Sequence, residues 1–256
     1  MTETKRRIYL LIKIFDKEEH ADAFLHQGEM FCRTIGEFRR TFDDESRGDK
    51  YEGVTDWHQP GQVKLTISYK DGEGIDHSIN IDEKDLAGPV VIQRSGFDSL
   101  NVFCMYAIKI DDCEETYETE EERLNAVERI NDSLKRQSHI DEKLSALGDF
   151  AVIVYRISEF IDKVKEAAAN IGAECVDNLV EYYDPETFNG SFDDLEAVFR
   201  KRDGYAHQNE YRFAFLLPEP EGTKTIRIGS LIDMAIKLPT KEINSRVQIR
   251  LDESRK

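Results

Sequence analysis

The chain lacks most of the signatures from which a reaction can be read directly. It contains no GxxxxGK[ST], GxGxxG, GxSxG or HExxH motif. Nucleotide hydrolysis on a phosphate loop and serine-hydrolase chemistry therefore fit poorly. Cysteine is scarce: Cys32, Cys104, Cys113 and Cys175 stand apart with no CxxC or other metal spacing. That usage reads as reduced thiols of a cytoplasmic protein, with no zinc site and no other metal predicted. Long apolar runs are missing, and none approaches the ~18–20 residues that span a bilayer. The first apolar stretch, RRIYLLIKIF, has the basic start of a signal peptide. Lys13 interrupts it and no small-residue cleavage site follows, so a strand is expected.

Basic charge is also short. Lys and Arg number 35 against 52 Asp and Glu, a formal charge of −17. This argues against generic nucleic-acid binding, which needs a basic face, and against docking on anionic lipid. It leaves room for a small basic pocket. The acidity has two readings: solubility, or a surface that imitates the charge of nucleic acid and competes for a basic protein partner.

What is present suffices for a core. Of 256 residues, 39% are hydrophobic, with 14 Phe and 10 Tyr, which excludes a mainly disordered chain. Strands are expected at Ile8–Phe15, Glu29–Ile35, Val102–Ile110, Phe150–Tyr155, Leu179–Tyr183 and Tyr211–Leu217. Val63–Ser68 and Asp76–Ile81 flank a Gly72–Gly74 turn and read as a hairpin. Thr225–Ile228 and Met234–Leu238 read as short late strands. Helices are expected over Lys17–His26, capped by Asp16, and over Ser158–Ile171, capped by Ser158. A shorter helical segment is expected at Phe192–Lys201. Leu124, Val127, Ile130 and Leu134 recur at helical spacing behind the acidic stretch Asp111–Glu122. Gly36–Gly61 breaks period and reads as a long aromatic and charged loop. These elements predict one α+β domain over residues 1–256, with a mixed, largely antiparallel sheet and short packing helices. An acidic helical insertion is expected at 111–147.

Two polar clusters could carry chemistry. In FRKRDGYAHQNEYRFAF, Phe199–Phe215, strand alternation puts Gln208, Glu210 and Arg212 on one face and Tyr211, Phe213 and Phe215 on the other. The polar face is either plain solvated strand or a carboxylate beside a positioning amide. The second arrangement holds a sugar hydroxyl and stabilises an adjacent oxocarbenium ion. His207 is a candidate acid or base by ionisation range. In CRTIGEFRRTFDDESRGDKYEG, Arg33, Arg39, Arg40 and Arg47 suit a pyrophosphate or carboxylate, and Asp49 and Glu52 fall in one turn. The bland alternative is a salt-bridge net within the loop. A further alternative has Asp49, Glu52 and Glu210 holding magnesium.

The order of short motifs is familiar. FLxxGxMF at Phe24–Phe31 precedes EFRR and GDKYEG. EF at Glu159–Phe160, VEYYD at Val180–Asp184 and FRKRDxYxxQxEYR at Phe199–Arg212 follow. This resembles a domain-of-unknown-function family of bacterial, prophage and phage proteins often encoded near anti-phage genes, over most of residues 8–240. The resemblance implies a cytoplasmic α+β domain with a site near Glu210. A more distant likeness is to ADP-ribosyltransferases, with Gln208-x-Glu210 in the place of their late-strand Gln/Glu-x-Glu pair. It implies that Glu210 binds the nicotinamide ribose. Taken with the two polar clusters, the expected catalytic residues are Glu210, Gln208 and His207, and Arg33, Arg39, Arg40, Tyr205 and Arg212 are expected to hold NAD. Two departures stand out. The first strand offers Lys13 rather than His or Arg, and in place of a Ser-Thr-Ser triplet CRTIGEF has only Thr34. The expectation is a phage- or prophage-type accessory or defence-related protein acting as an NAD-using transferase or glycohydrolase on a protein target. Its alternative is a non-enzymatic acidic protein that binds and inhibits a basic host or defence protein.

Overall fold

The computed structural model of the chain describes residues 7–41, 48–110, 117–219 and 222–249. It is α+β, with mostly antiparallel, unclosed sheets. The chain opens with β1 (Arg7–Phe15), α1 (Glu18–Gln27), β2 (Glu29–Thr34) and α2 (Ile35–Arg40). A second group follows: β3 (Val54–His58), β4 (Leu65–Lys70), β5 (Asp76–Ile81), β6 (Val90–Gln93) and β7 (Asn101–Ile110). Next come α3 (Glu120–Ser138), α4 (Glu142–Ser145), β8 (Phe150–Val154) and α5 (Ile157–Asn170). β9 (Glu174–Leu179), β10 (Glu181–Tyr183), β11 (Gly190–Ser191) and β12 (Arg200–Arg202) lead to β13 (Glu210–Leu216). β14 (Lys224–Arg227), β15 (Ala235–Pro239) and α6 (Ile243–Arg246) complete the order.

The main sheet runs β14-β2-β7-β1-β8-β15, with β13 on β7 and β9 beyond β13. One face is closed by α1 and α5: Phe24, Phe160 and Val164 pack on Leu11, Phe103, Val152 and Phe213. The other is covered by α3, α4 and α6, through Leu134, Leu144 and Ile243 on Ile12, Ile108 and Ile153. The near-continuous apolar runs of β1, β7 and β8 supply side chains to both faces and so dictate this double-sided burial.

β7 organises the site. One edge pairs with β13 along Asn101–Tyr106. The opposite edge is shared: β1 takes Tyr106–Ile110, and β2 takes only Asn101 and Val102. Among the described residues Phe103, Cys104 and Met105 therefore have no strand on that side, and the sheet is split there between β1 and β2. Lys13 reaches into the split and donates to the Cys104 carbonyl at 2.7 Å.

Several expectations need correction. Gly36–Gly61 is not one loop, because it holds most of α2 and all of β3; residues 42–47 lie outside the described residues. α2 follows β2 directly because Thr34 and Glu37 form a reciprocal capping box. Asp16 does not cap α1; Lys17 stands at the cap without a side-chain bond, and Asp16 instead meets His20. Ser158 lies inside α5, whose cap position is Arg156. Leu179–Tyr183 takes in β10 but only the last residue of β9, which begins at Glu174, and the two strands are separated at Val180. In the acidic helix Leu134 is buried but Leu124 is 43% exposed; Asp111–Thr116, with Cys113, lies outside the described residues.

Candidate functional site

The alternation expected of Glu210–Phe215 is present: Tyr211, Phe213 and Phe215 enter the core under α5, and Glu210 and Arg212 share the other face. That face is not solvated. Arg212 is 1% exposed and its guanidinium makes three hydrogen bonds through its two Nη atoms. Nη1 donates to Glu52 Oε1 at 2.5 Å and to the Val198 carbonyl, and Nη2 donates to Glu210 Oε2 at 2.7 Å. The other Glu210 oxygen faces Lys201 Nζ at 3.4 Å. Lys201 also donates to Gln208 Oε1 at 2.7 Å and lies 3.8 Å from Glu52 Oε2. Two carboxylates and two cations thus alternate around one buried centre. Each charge has an opposite neighbour, the condition under which burial is tolerated.

Gln208 reaches this centre by an unexpected route. It sits at the end of a 3-10 turn, Asp203–Gln208, and not on β13. Asn209 then adopts a left-handed conformation, φ 37°, which Asn accepts more readily than most residues. Its carbonyl receives the Ala107 N–H at 2.8 Å, which pins the turn to the sheet.

Burial pushes the Glu210 carboxyl up, but the charges of Lys201 and Arg212 outweigh it and hold it at about 2. It is therefore an anion at neutral pH. It can accept hydrogen bonds or stabilise a cation, but it has no proton to donate. Burial lowers Lys201 and Arg212, yet Glu210 and Glu52 reverse the sign and raise both.

A cavity of about 690 Å³ opens at the split in the sheet. Lys13, Phe31, Arg33, Tyr106, Gln208 and Glu210 are among its lining residues. Phe31 is 63% exposed on β2. Arg33 lies over the Phe38 ring at 4.9 Å and donates to Thr41 Oγ1 at 2.8 Å. This combination of aromatic rings, two cations, an amide and a fixed carboxylate suits a polar ligand with both anionic and hydroxyl groups.

The structure brings together Glu210, Gln208 and Arg33 at the cavity, with Glu52 and Arg212 buried behind Glu210. The other residues singled out fall elsewhere. Arg39 donates to the Glu52 and Gly53 carbonyls and pairs with Asp98, so it braces the turn. Arg40 is exposed at the end of α2. Asp49 takes Arg202 at 2.9 Å, and Tyr205 donates to the Gly48 carbonyl at 3.2 Å. His207 sits 3.2 Å from the Gly204 carbonyl, apart from the cavity lining. Among the described residues the ion pairs of Asp49 and Glu52 run to Arg202 and Arg212, across more than 150 residues, while Arg47 lies outside the described residues. Magnesium shared by Asp49, Glu52 and Glu210 is not what the geometry builds, since each carboxylate meets an Arg or Lys. Among the described residues no group of three His, Cys, Asp or Glu comes together to hold a metal.

Sequence reasoning missed Lys201 and Tyr182, whose hydroxyl accepts the Glu210 N–H at 3.0 Å. Lys201 had a signal: in RKR the middle residue points opposite to its neighbours on a strand. Among the described residues no helix is long and apolar enough to cross a membrane. Comparison with protein-family models, curated proteins and solved structures finds no match to the chain.

Proposed function

We propose that the chain binds a nicotinamide dinucleotide at the split in its sheet and breaks the nicotinamide–ribose bond, passing ADP-ribose to water or to a protein side chain. The observation that carries this reading is Glu210: a carboxylate kept ionised by Lys201 and Arg212, beside Gln208, in the wall of a cavity that Arg33 and Lys13 also line. Arg33 and Lys13 take the diphosphate, and Phe31 offers a face for a heterocycle. Glu210 accepts a hydrogen bond from a ribose hydroxyl.

As the C1′–N bond breaks, its electron pair leaves with nicotinamide, whose ring nitrogen loses its positive charge. Cationic character moves to C1′, where the fixed Glu210 anion stabilises it. The incoming oxygen or nitrogen forms the new bond to C1′ and releases a proton to solvent. Glu52 and Arg212 touch nothing that reacts; they hold Glu210 in place. The resemblance to prophage and phage proteins near anti-phage genes would set such an activity in the conflict between bacteria and phages.

The test is nicotinamide release from the dinucleotide by the purified chain, with labelled ADP-ribose transfer onto cell proteins followed in parallel. Glu210→Gln keeps the size and removes the charge, and should lower either rate about 10²–10³-fold. A folded wild-type chain that neither releases nicotinamide nor transfers label overturns the proposal.

A further inference from the structure

The β4–β5 hairpin is an amphipathic ribbon whose apolar residues join none of the hydrophobic clusters of the described residues. Leu65, Ile67 and Tyr69 stand directly opposite Ile81, Ile79 and His77. Directly opposed alternate pairs share one face of a ribbon, and the Tyr69 and His77 rings stack at 5.1 Å. The other face is polar, with Thr66, Ser68 and Lys70 against Asn80, Ser78 and Asp76. Ile67, Tyr69 and Ile79 are 51%, 49% and 51% exposed, and Ile75 at the tip is 54% exposed. Among the described residues β4 and β5 pair only with each other. Such a ribbon is marginal alone, yet its tip is wired in place. Asp71 Oδ1 accepts the Glu73 and Ile75 N–H groups, and Asp71 Oδ2 meets His77 Nε2 at 2.7 Å. A pre-ordered apolar face exposed to water is what a docking element presents.

Charge and area select the occupant. Residues 64–88 carry six acidic side chains against three Lys, in a chain of net charge −17. A second copy and a nucleic acid would both be repelled. The face spans roughly six residues by two strands, about 20 Å by 10 Å at ~3.4 and ~4.8 Å spacings. That footprint of about 200 Å² falls well short of the ~800 Å² per partner of a stable interface. The occupant must therefore also engage the acidic rim. We propose that this hairpin is the docking element for a basic protein, which seats the Ile67–Ile79 face in an apolar groove and surrounds the tip with Lys and Arg. The surface stands independently of the chemistry proposed for Glu210.

The test places a photo-crosslinking benzoylphenylalanine at Tyr69 in the full chain, and at Ser68 as the opposite-face control, in the cells that produce it. The expected result is a basic protein captured from Tyr69 and not from Ser68. Purified, that protein should bind the wild-type chain and lose at least tenfold in affinity in Ile67→Ser/Ile79→Ser. Glu73→Lys, which leaves the apolar pairs intact, should also weaken it, as should raising salt from about 0.05 to about 0.5 M. Capture of a second copy, of nucleic acid or of an acidic protein overturns the proposal. So does equal capture from both faces, no capture at Tyr69, or binding indifferent to salt and to Glu73→Lys.

Discussion

Glu52→Gln removes one charge from a residue that no ligand in the cavity would touch. Glu52 is 1% exposed, with Oε1 2.5 Å from Arg212 Nη1 and Oε2 3.8 Å from Lys201 Nζ. The substitution keeps the volume but leaves two cations sharing the single charge of Glu210. Breaking a buried pair from one side costs about 3–5 kcal/mol, because the remaining charge stays in a poorly solvating interior. At ~2–4 °C per kcal/mol for a chain of this size, the melting temperature should fall by about 6–20 °C. Trp57, the only tryptophan and buried against Tyr51 and Tyr183, reports unfolding in urea by its fluorescence. The companion variant Glu52→Leu/Arg212→Met removes both charges and should recover at least half of the loss, since no unpaired guanidinium remains. A Glu52→Gln chain within about 1 kcal/mol of wild type would mean the pair contributes no more than a surface ion pair. A double variant no better than the single would mean that the loss is not electrostatic. Either result refutes the buried alternating-charge account of the site.

Glu210 links stability to acid. Its folded pKa of about 2 lies below the ordinary 4.5, so its stabilisation is complete above about pH 4.5 and is lost as pH falls towards 2. Lys201→Met removes one source of that depression and should move the acid-unfolding midpoint to higher pH in a fluorescence titration; an unchanged midpoint would contradict the coupling. Arg33→Ala should weaken ADP-ribose binding at least tenfold by calorimetry, the scale of one lost charged hydrogen bond, with the melting temperature within about 2 °C of wild type. Equal affinity would remove Arg33 from the ligand site. Gly28 ends α1 at φ 65°, and a Cβ there would lie 2.3 Å from the Gly229 carbonyl oxygen. Gly28→Ala should therefore cost about 2 kcal/mol or more in urea unfolding, against a near-neutral outcome if that close approach is relaxed in solution.

Local patterning made much of the fold legible. Short apolar runs located β1, β7 and β8, and alternation or a glycine turn located β13 and the β4–β5 hairpin, each to within a residue or two, because a buried strand must be apolar and a half-buried one must alternate. β9 was overlooked for the opposite reason: ECVDNL lies at the rim of the sheet, pairs among the described residues only with β13, and has little burial to pattern it. In the site, the shared face of Glu210 and Arg212 follows from strand geometry alone. Their partners do not: Glu52 lies 160 positions from Arg212 along the chain, and no local rule joins them. The same limit applied to Arg39 and Tyr205, whose residue types suit a phosphate or a ring but whose positions brace the turn around Gly48 and Gly53.

By itself the sequence determined an α+β chain with enough aromatic core to fold, a surplus of acid, and a late strand with one apolar and one polar face. These follow from composition and short-range periodicity, which act over a few residues. Tertiary structure alone decided that the polar face is buried, that Lys201 and Glu52 complete it, and that β1 and β2 part along β7 to open a cavity beside it. Those outcomes depend on which distant segments meet. A buried charge is tolerated only where the fold delivers its counter-charge, and that delivery is a property of the packed chain.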